Sequence, residues 1–327
     1  MAYVVEEAEL DALQEPWRHL LARSQADCVF CTPEWARVCR DELTAGAQLH
    51  LLAVRRDGEL VAVAPLALRG ETVPFWGAPN VCDFMDVVVA RGHERSAYDA
   101  LAAYAERLPW RTMRLQGLRA ESPALDGLEA ACAARGWRVE RVPEDVAPIL
   151  ELPRDWETYV ESLSKKDRHE LRRKLRRLGA AGQVSFFASN PHVLDQDLQE
   201  FFRMMGDSRA DKARFLTPER RRFFHAMAAA MQRAGHLRLF FLTLDGRRVS
   251  ATLCFDYGNA YSLYNSGYDP ALAHLSVGLL VKALCIKDAI EKGRARFEFL
   301  RGAEAYKYDL GARDRPVYTA VVSRGGT

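Results

Sequence analysis

Ser276, Val277 and Gly278 open an apolar, helix-spaced run just after a strand-like segment, 260–267. The first amides of a helix have no partner inside it, and the aligned peptide dipoles make that end positive. Gly278 has no side chain to hold a diphosphate off the backbone, and Ser276 can cap the helix or donate its hydroxyl. Ser-x-Gly is a short pattern that an ordinary helix cap also satisfies. The surrounding order of strand, loop, helix and strand is what points to phosphate binding.

The strand after that helix ends in Glu298-Phe299-Leu300-Arg301-Gly302, with Tyr306-Lys307 following. A carboxylate near the end of a buried strand suits a general base for an incoming amine. Glu298 reads equally well as a strand carboxylate paired with Arg301 or Lys307. The Tyr306 phenol could protonate a leaving thiolate, or pack with its hydroxyl exposed. Arg301 and Lys307 could bind phosphate or a substrate carboxylate, or make surface ion pairs. Tyr264 and Tyr268 are aromatic candidates for an acceptor cleft, and core packing accounts for them as well.

These residues need a scaffold. At 327 residues the chain exceeds what one core usually organises, and two domains are expected. The content of 49% hydrophobic and 10% aromatic residues is that of a folded protein. Charged residues interrupt every apolar stretch before it could span a bilayer, and the acidic start MAYVVEEAEL lacks the pattern of a signal peptide. A cytoplasmic location without membrane insertion is expected. Seven scattered cysteines argue against a disulfide framework, and the Cys28-x-x-Cys31 pair is expected to be structural thiols. Residues 1–150 hold 16 arginines and no lysine against 23 acidic residues, whereas 151–327 hold 30 basic against 21 acidic. The second half therefore presents a positive field, which suits a polyanionic ligand.

Periodicity predicts helices around Leu10–Leu21 and after Thr32-Pro33, then two strands joined at Asp57-Gly58, a strand over Met85–Val89, a helix from Glu94 to Arg107, a strand TMRLQGL and a helix ending at Gly136. The proline-containing stretch 143–155 is expected to be the crossover between halves. The second half repeats this grammar: helices, a hairpin at Asp245-Gly246, strand 260–267, a helix over Ser276–Lys292, strand RARFEFL and a last strand VYTAVVS. The shared order suggests duplication.

The run Tyr264–Lys307 resembles the acyltransferases of the CelD/BcsL type, grouped with cellulose biosynthesis, which are related to the FemABX proteins with two GNAT folds. The resemblance rests on Y-N-S-G-Y-D-P (264–270), L-S-V-G-L-L (275–280) and F-E-F-L-R-G-A-E-A-Y-K (297–307). The basic run 164–178 and T-P-E-W (32–35) match as well. The resemblance implies an α/β (α+β) chain of two tandem GNAT-like domains, each a mixed, mostly antiparallel sheet flanked by helices. Residues 1–150 would form a degenerate domain, and 151–327 one that binds acyl-CoA, acetyl-CoA first among the donors. The pyrophosphate would lie on the Ser276–Leu279 amides, and Asn265, Ser266, Leu275 and Leu280 would complete the donor site. An amine of a small molecule, sugar or peptide would be the acceptor, and no metal is expected. Two departures stand out: the family more often has proline at the position of Val277 and aspartate at that of Glu298.

The basic run 164–178 supports a second reading. Its eight lysines and arginines could contact nucleic acid phosphates, and FemABX relatives take aminoacyl-tRNA as donor. No aromatic residue interleaves the cluster, so transfer RNA ranks below acyl-CoA. The same residues could hold the CoA 3′-phosphate, or form a solvated helix face. A third reading is a GNAT fold without chemistry that binds a polyanion. No G-x-S-x-G, H-E-x-x-H or Walker sequence occurs, which lowers hydrolase, zinc-protease and P-loop readings.

Overall fold

The computed structural model describes residues 2–324, which divide into two compact units, 2–146 with 315–324 and 147–314. In chain order the first holds β1 (Tyr3–Glu7), α1 (Leu10–Leu21), α2 (Pro33–Leu43), β2 (Gln48–Arg56), β3 (Glu59–Leu68), β4 (Thr72–Val73), β5 (Val88–Val89), α3 (Glu94–Ala105), β6 (Thr112–Arg119), α4 (Pro123–Ala133) and β7 (Arg138–Val146). The second holds β8 (Ile149–Glu151), α5 (Trp156–Ser162), α6 (Lys165–Ala181), β9 (Val184–Ala188), α7 (Leu194–Ser208), α8 (Ala210–Phe215), α9 (Pro218–Arg233), β10 (Leu237–Leu244), β11 (Arg247–Tyr257), β12 (Ala260–Tyr268), α10 (Val277–Glu291), β13 (Arg296–Glu298) and α11 (Ala305–Asp309). The last strand, β14 (Pro316–Ser323), returns to the first unit.

Local chemistry explains many of these boundaries. Thr32 Oγ1 accepts the Trp35 amide and Pro33 takes the first helical position of α2. Ser164 Oγ accepts the Asp167 amide at the start of α6 and donates to the Asp167 carboxylate, which makes Ser164 a side-chain N-cap. Asp57 (φ 51°) and Gly58 (φ 85°) supply the two positive dihedrals of a tight hairpin, and Asp245 (φ 50°) and Gly246 (φ 77°) repeat them.

The first unit has two four-stranded sheets, ordered β1-β2-β3-β5 and β4-β6-β14-β7. The second has one six-stranded sheet, β8-β13-β12-β11-β10-β9, antiparallel except where β12 and β13 run parallel. Strand, two or three helices, hairpin, one or two strands, helix, strand, helix and strand recur from β1 to β7 and from β9 to β14, an order that fits duplication.

Four expectations are corrected. A single division at 150/151 does not hold, because β8 (Ile149–Glu151) pairs with β13 of the second unit and β14 pairs with β6 and β7 of the first. Stretch 143–155 is not one crossover: 143–146 complete β7, where Pro143 is tolerated because β7 lies at a sheet edge. The strand expected over Met85–Val89 shortens to Val88–Val89, and β1 was not anticipated.

The core of the second unit sits between α10 and the sheet. Val277, Leu280, Val281, Ile286 and Ala289 of α10 are buried with Phe240, Leu242, Cys254, Tyr261 and Leu263. The Tyr261 hydroxyl donates to Asp288 at 2.8 Å and ties β12 to the far end of α10. The seven cysteines are free thiols, all buried.

Candidate active site

β12 and β13 are in register only from Ala260–Ser262 to Arg296–Glu298. Beyond that, β12 runs on to Tyr268 while β13 stops, so the two strands part. Lys307 explains the stop. Its ammonium, 1% exposed as a residue, donates to the carbonyls of Leu300 (3.0 Å), Arg301 (2.8 Å) and Gly302 (2.8 Å) and pairs with Glu304 at 2.9 Å. This clamp turns the chain through Leu300, a buried residue in the left-handed region (φ 57°). The Lys307 protons are thus engaged within the protein, and the expectation that Lys307 binds substrate is replaced by a structural role.

The parting strands carry a second irregularity. Leu253 faces Asn265 and Cys254 faces Leu263, so Tyr264 is an extra residue in β12 opposite no residue of β11. Such a bulge re-aims backbone groups and often lies beside a functional site. The Tyr264 ring packs on Phe255 and Phe224, with centroids 5.1 and 5.6 Å away, which gives it an aromatic packing role. Asn265 Oδ1 accepts its neighbour's amide, that of Ser266, and the Lys212 ammonium from α8; Lys212 also donates to the Ser266 carbonyl.

The loop into α10 is fixed by Asp269, which caps the short 3₁₀ turn Pro270–Leu275 through the Ala271 amide and pairs with Arg247. Ser276 follows in the left-handed conformation (φ 60°), and its carbonyl accepts the amides of Leu279 and Leu280. The amides of Val277 and Gly278 are then the ones in the first turn with no helical acceptor. Arg177 of α6 donates to Ser276 Oγ at 3.0 Å, so the basic helix places a guanidinium at this helix start. Gly278 is required for a reason other than the one expected: a Cβ there would stand 2.7 Å from the Tyr268 ring. Tyr268 therefore packs on the helix start, and Val277 is buried. Leu275 and Leu280 are core residues, while Leu279 helps line a cleft of about 220 Å³ in which Lys166 and Lys174 stand beside Asp167, Glu170 and Asp309.

Glu298 is buried at the last paired rung, opposite Ser262, whose hydroxyl donates to it at 3.3 Å. Tyr306 of α11 is half-buried against Phe299, and burial, with the Glu304 charge next in effect, pushes its phenol up, so it keeps its proton. Arg301 lies within the Lys307-clamped turn. Reading the sequence missed Lys282. This α10 residue is buried, donates to the Gly278 carbonyl at 2.5 Å and places its Nζ 4.7 Å from the Tyr306 ring centre. A lone lysine in the apolar run GLLVKALCI was the signal available. Among the described residues no three His, Cys, Asp or Glu side chains converge as a metal site. No helix there is long and apolar enough to cross a membrane.

Residues 165–308 match the family model described as acetyltransferase (GNAT) domain. The matched stretch lies within the second unit, and the chain has the fold of tandem GNAT proteins. FemX aligns with 97% of this chain and 96% of its own at 14% identity and a TM-score of 0.65. A tandem GNAT protein from the clavulanic acid biosynthesis pathway aligns over 99% and 100% at 13% identity and a TM-score of 0.55. The C-terminal domain of a putative lysylphosphatidylglycerol synthetase from Agrobacterium fabrum aligns over 97% and 93% at 12% identity and a TM-score of 0.58. No curated protein sequence matches the chain.

Proposed function

We propose that the second unit transfers an acyl group from acyl-CoA, acetyl-CoA first among them, to an amine of a small-molecule, sugar or peptide acceptor. The observation that carries this reading is the parting of β12 from β13 beside the start of α10. The gap leaves strand backbone at Leu263–Tyr268 for the donor's amide arm, next to two first-turn amides and Arg177 for its diphosphate. The acceptor amine attacks the thioester carbonyl directly, and Glu298 or a water takes its proton. Amides at the Tyr264 bulge polarise the carbonyl, and Tyr306 protonates the departing thiolate. In the first unit the Met85 amide bonds the Gly117 carbonyl at 3.1 Å, which closes the chain onto β6 and supports a degenerate role for that unit.

Calorimetry with acetyl-CoA, longer acyl-CoAs and free CoA tests the donor. All are expected to bind, and Arg177→Gln should weaken each about tenfold, the scale of one charge-assisted phosphate contact. Absence of binding by the wild type would refute the donor. Gly278→Asp is a poor test, since it strikes Tyr268 before it meets any phosphate. Tyr306→Phe should lower thiol release with an acceptor about 100-fold while donor affinity stays unchanged. Unaltered turnover removes Tyr306 from the reaction.

One observation favours a second reading. Lys165, Lys166, Arg172, Arg173 and Arg176 of α6 are exposed, a surface suited to an aminoacyl-tRNA donor or to polyanion binding by a fold without chemistry. Arg172 and Arg173 already pair with Glu157 and Glu170, which leaves that reading second. Reversing Lys165 and Lys166 to glutamate should spare the affinity for the acyl-CoA core and abolish any RNA retention on filters.

A further inference from the structure

Buried lysine amines are usually paired with a carboxylate, or with several carbonyls at once. Lys307 is the second kind, with three carbonyls and Glu304 around it. Lys282 is neither. Its polar contacts are one carbonyl, that of Gly278, and the face of Tyr306. No carboxylate of the described residues pairs with it.

The charged and titratable groups around Lys282 are Lys212 from α8, Glu304 and Tyr306 at α11, Cys254 from β11 and Cys285 from its own helix. Burial first, and the Lys212 charge second, bring the Lys282 amine down to about 7. Burial and the neighbouring Cys285 raise the Cys254 thiol, so it supplies no thiolate partner. Near neutral pH much of Lys282 is therefore free amine, the form that can act as a nucleophile.

Its position is the second argument, and it rests on the donor reading above. If Tyr306 protonates the leaving sulfur, the thioester lies against the ring that Lys282 also touches, at 4.7 Å. We propose that Lys282 is an acyl acceptor within the protein: its Nζ attacks the bound thioester and becomes an Nε-acyl-lysine. The C–N bond forms as the C–S bond breaks, the nitrogen loses one proton and the departing sulfur gains one. Amine and thioester thus give amide and thiol with no further reagent. The product amide is neutral at every pH, so burial places no charge penalty on it. A free acceptor competes with Lys282 for the same acyl group, and modification accumulates when the acceptor is scarce.

The test needs no knowledge of the acceptor. The full chain is incubated with acetyl-CoA from pH 6 to pH 9 and followed by intact mass and peptide mapping, with calorimetry of acetyl-CoA binding alongside. One acetyl group per chain is expected at Lys282. Its initial rate should rise about tenfold from pH 6 to pH 8 and then level off, because the amine is already largely free. A solvent-exposed lysine instead keeps gaining about tenfold per pH unit up to its ordinary range near 10. Lys307, equally buried, should stay unmodified, and Lys282→Met should remove the labelled peptide. Binding without acetylation at Lys282, or acetylation there with no plateau, overturns the inference. Absence of acetyl-CoA binding overturns the donor reading and this inference with it. The wild-type pH profile decides the matter even if Lys282→Met does not fold.

Discussion

Lys307→Met is expected to destabilise the second unit by about 3 kcal/mol, seen as a lower urea midpoint and a melting temperature lower by roughly 6–12 °C. Methionine matches the length of the lysine stem but donates nothing. The carbonyls of Leu300, Arg301 and Gly302 then lose their common donor in a place where water replaces it poorly. Glu304 is half-exposed and regains water, so most of the cost lies in the carbonyls. Leu300 loses what holds it in the left-handed region, and β13 is freed to run further beside β12. Donor affinity should fall along with stability. Lys307→Arg should rescue little, because a planar guanidinium cannot satisfy three converging carbonyls. A Lys307→Met protein of normal stability that had lost only substrate affinity would restore the substrate-binding role expected from the sequence.

Gly267→Ala should cost about 3 kcal/mol or more and yield little soluble protein. A Cβ at 267 would lie 2.2 Å from the Met205 amide nitrogen and 2.4 Å from the Met204 carbonyl carbon. Those are backbone atoms of α7, which no rotamer change can move, so the helix itself must shift away from β12. Gly179→Ala, in the exposed part of α6 with nothing within 4 Å of its Cβ, is the matched control and should stabilise by about 0.5–1 kcal/mol. Soluble Gly267→Ala protein with an unchanged urea midpoint would show that α7 does not press on β12.

Where a boundary depends on residues close in sequence, it was legible. Ser164 and Asp167 mark the start of α6 and Thr32-Pro33 that of α2, while Asp-Gly at 57–58 and 245–246 marks hairpins. In each case the side chain, or the positive dihedral, acts on a backbone group within three residues. The repeated order of elements was legible for the same reason, and with it the tandem fold. The segment from Tyr264 to Lys307 was read as the place where donor chemistry would gather, which is the reading that the acetyl-CoA calorimetry tests.

Long-range partners decided the rest. VYTAVVS is recognisable as a strand, but its pairing with β6 and β7 rather than with the sheet of the second unit depends on hydrogen bonds to residues more than 150 positions away. RARFEFL has the composition of a seven-residue strand, yet β13 keeps only Arg296–Glu298 because Lys307 turns the chain at Leu300. Gly278 was singled out as open to a phosphate, whereas Tyr268 occupies the space a side chain would need. Lys282 was passed over because a lysine's protonation is set by what surrounds it in space. Composition cannot distinguish a lysine ringed by carbonyls, like Lys307, from one facing a single carbonyl and an aromatic ring.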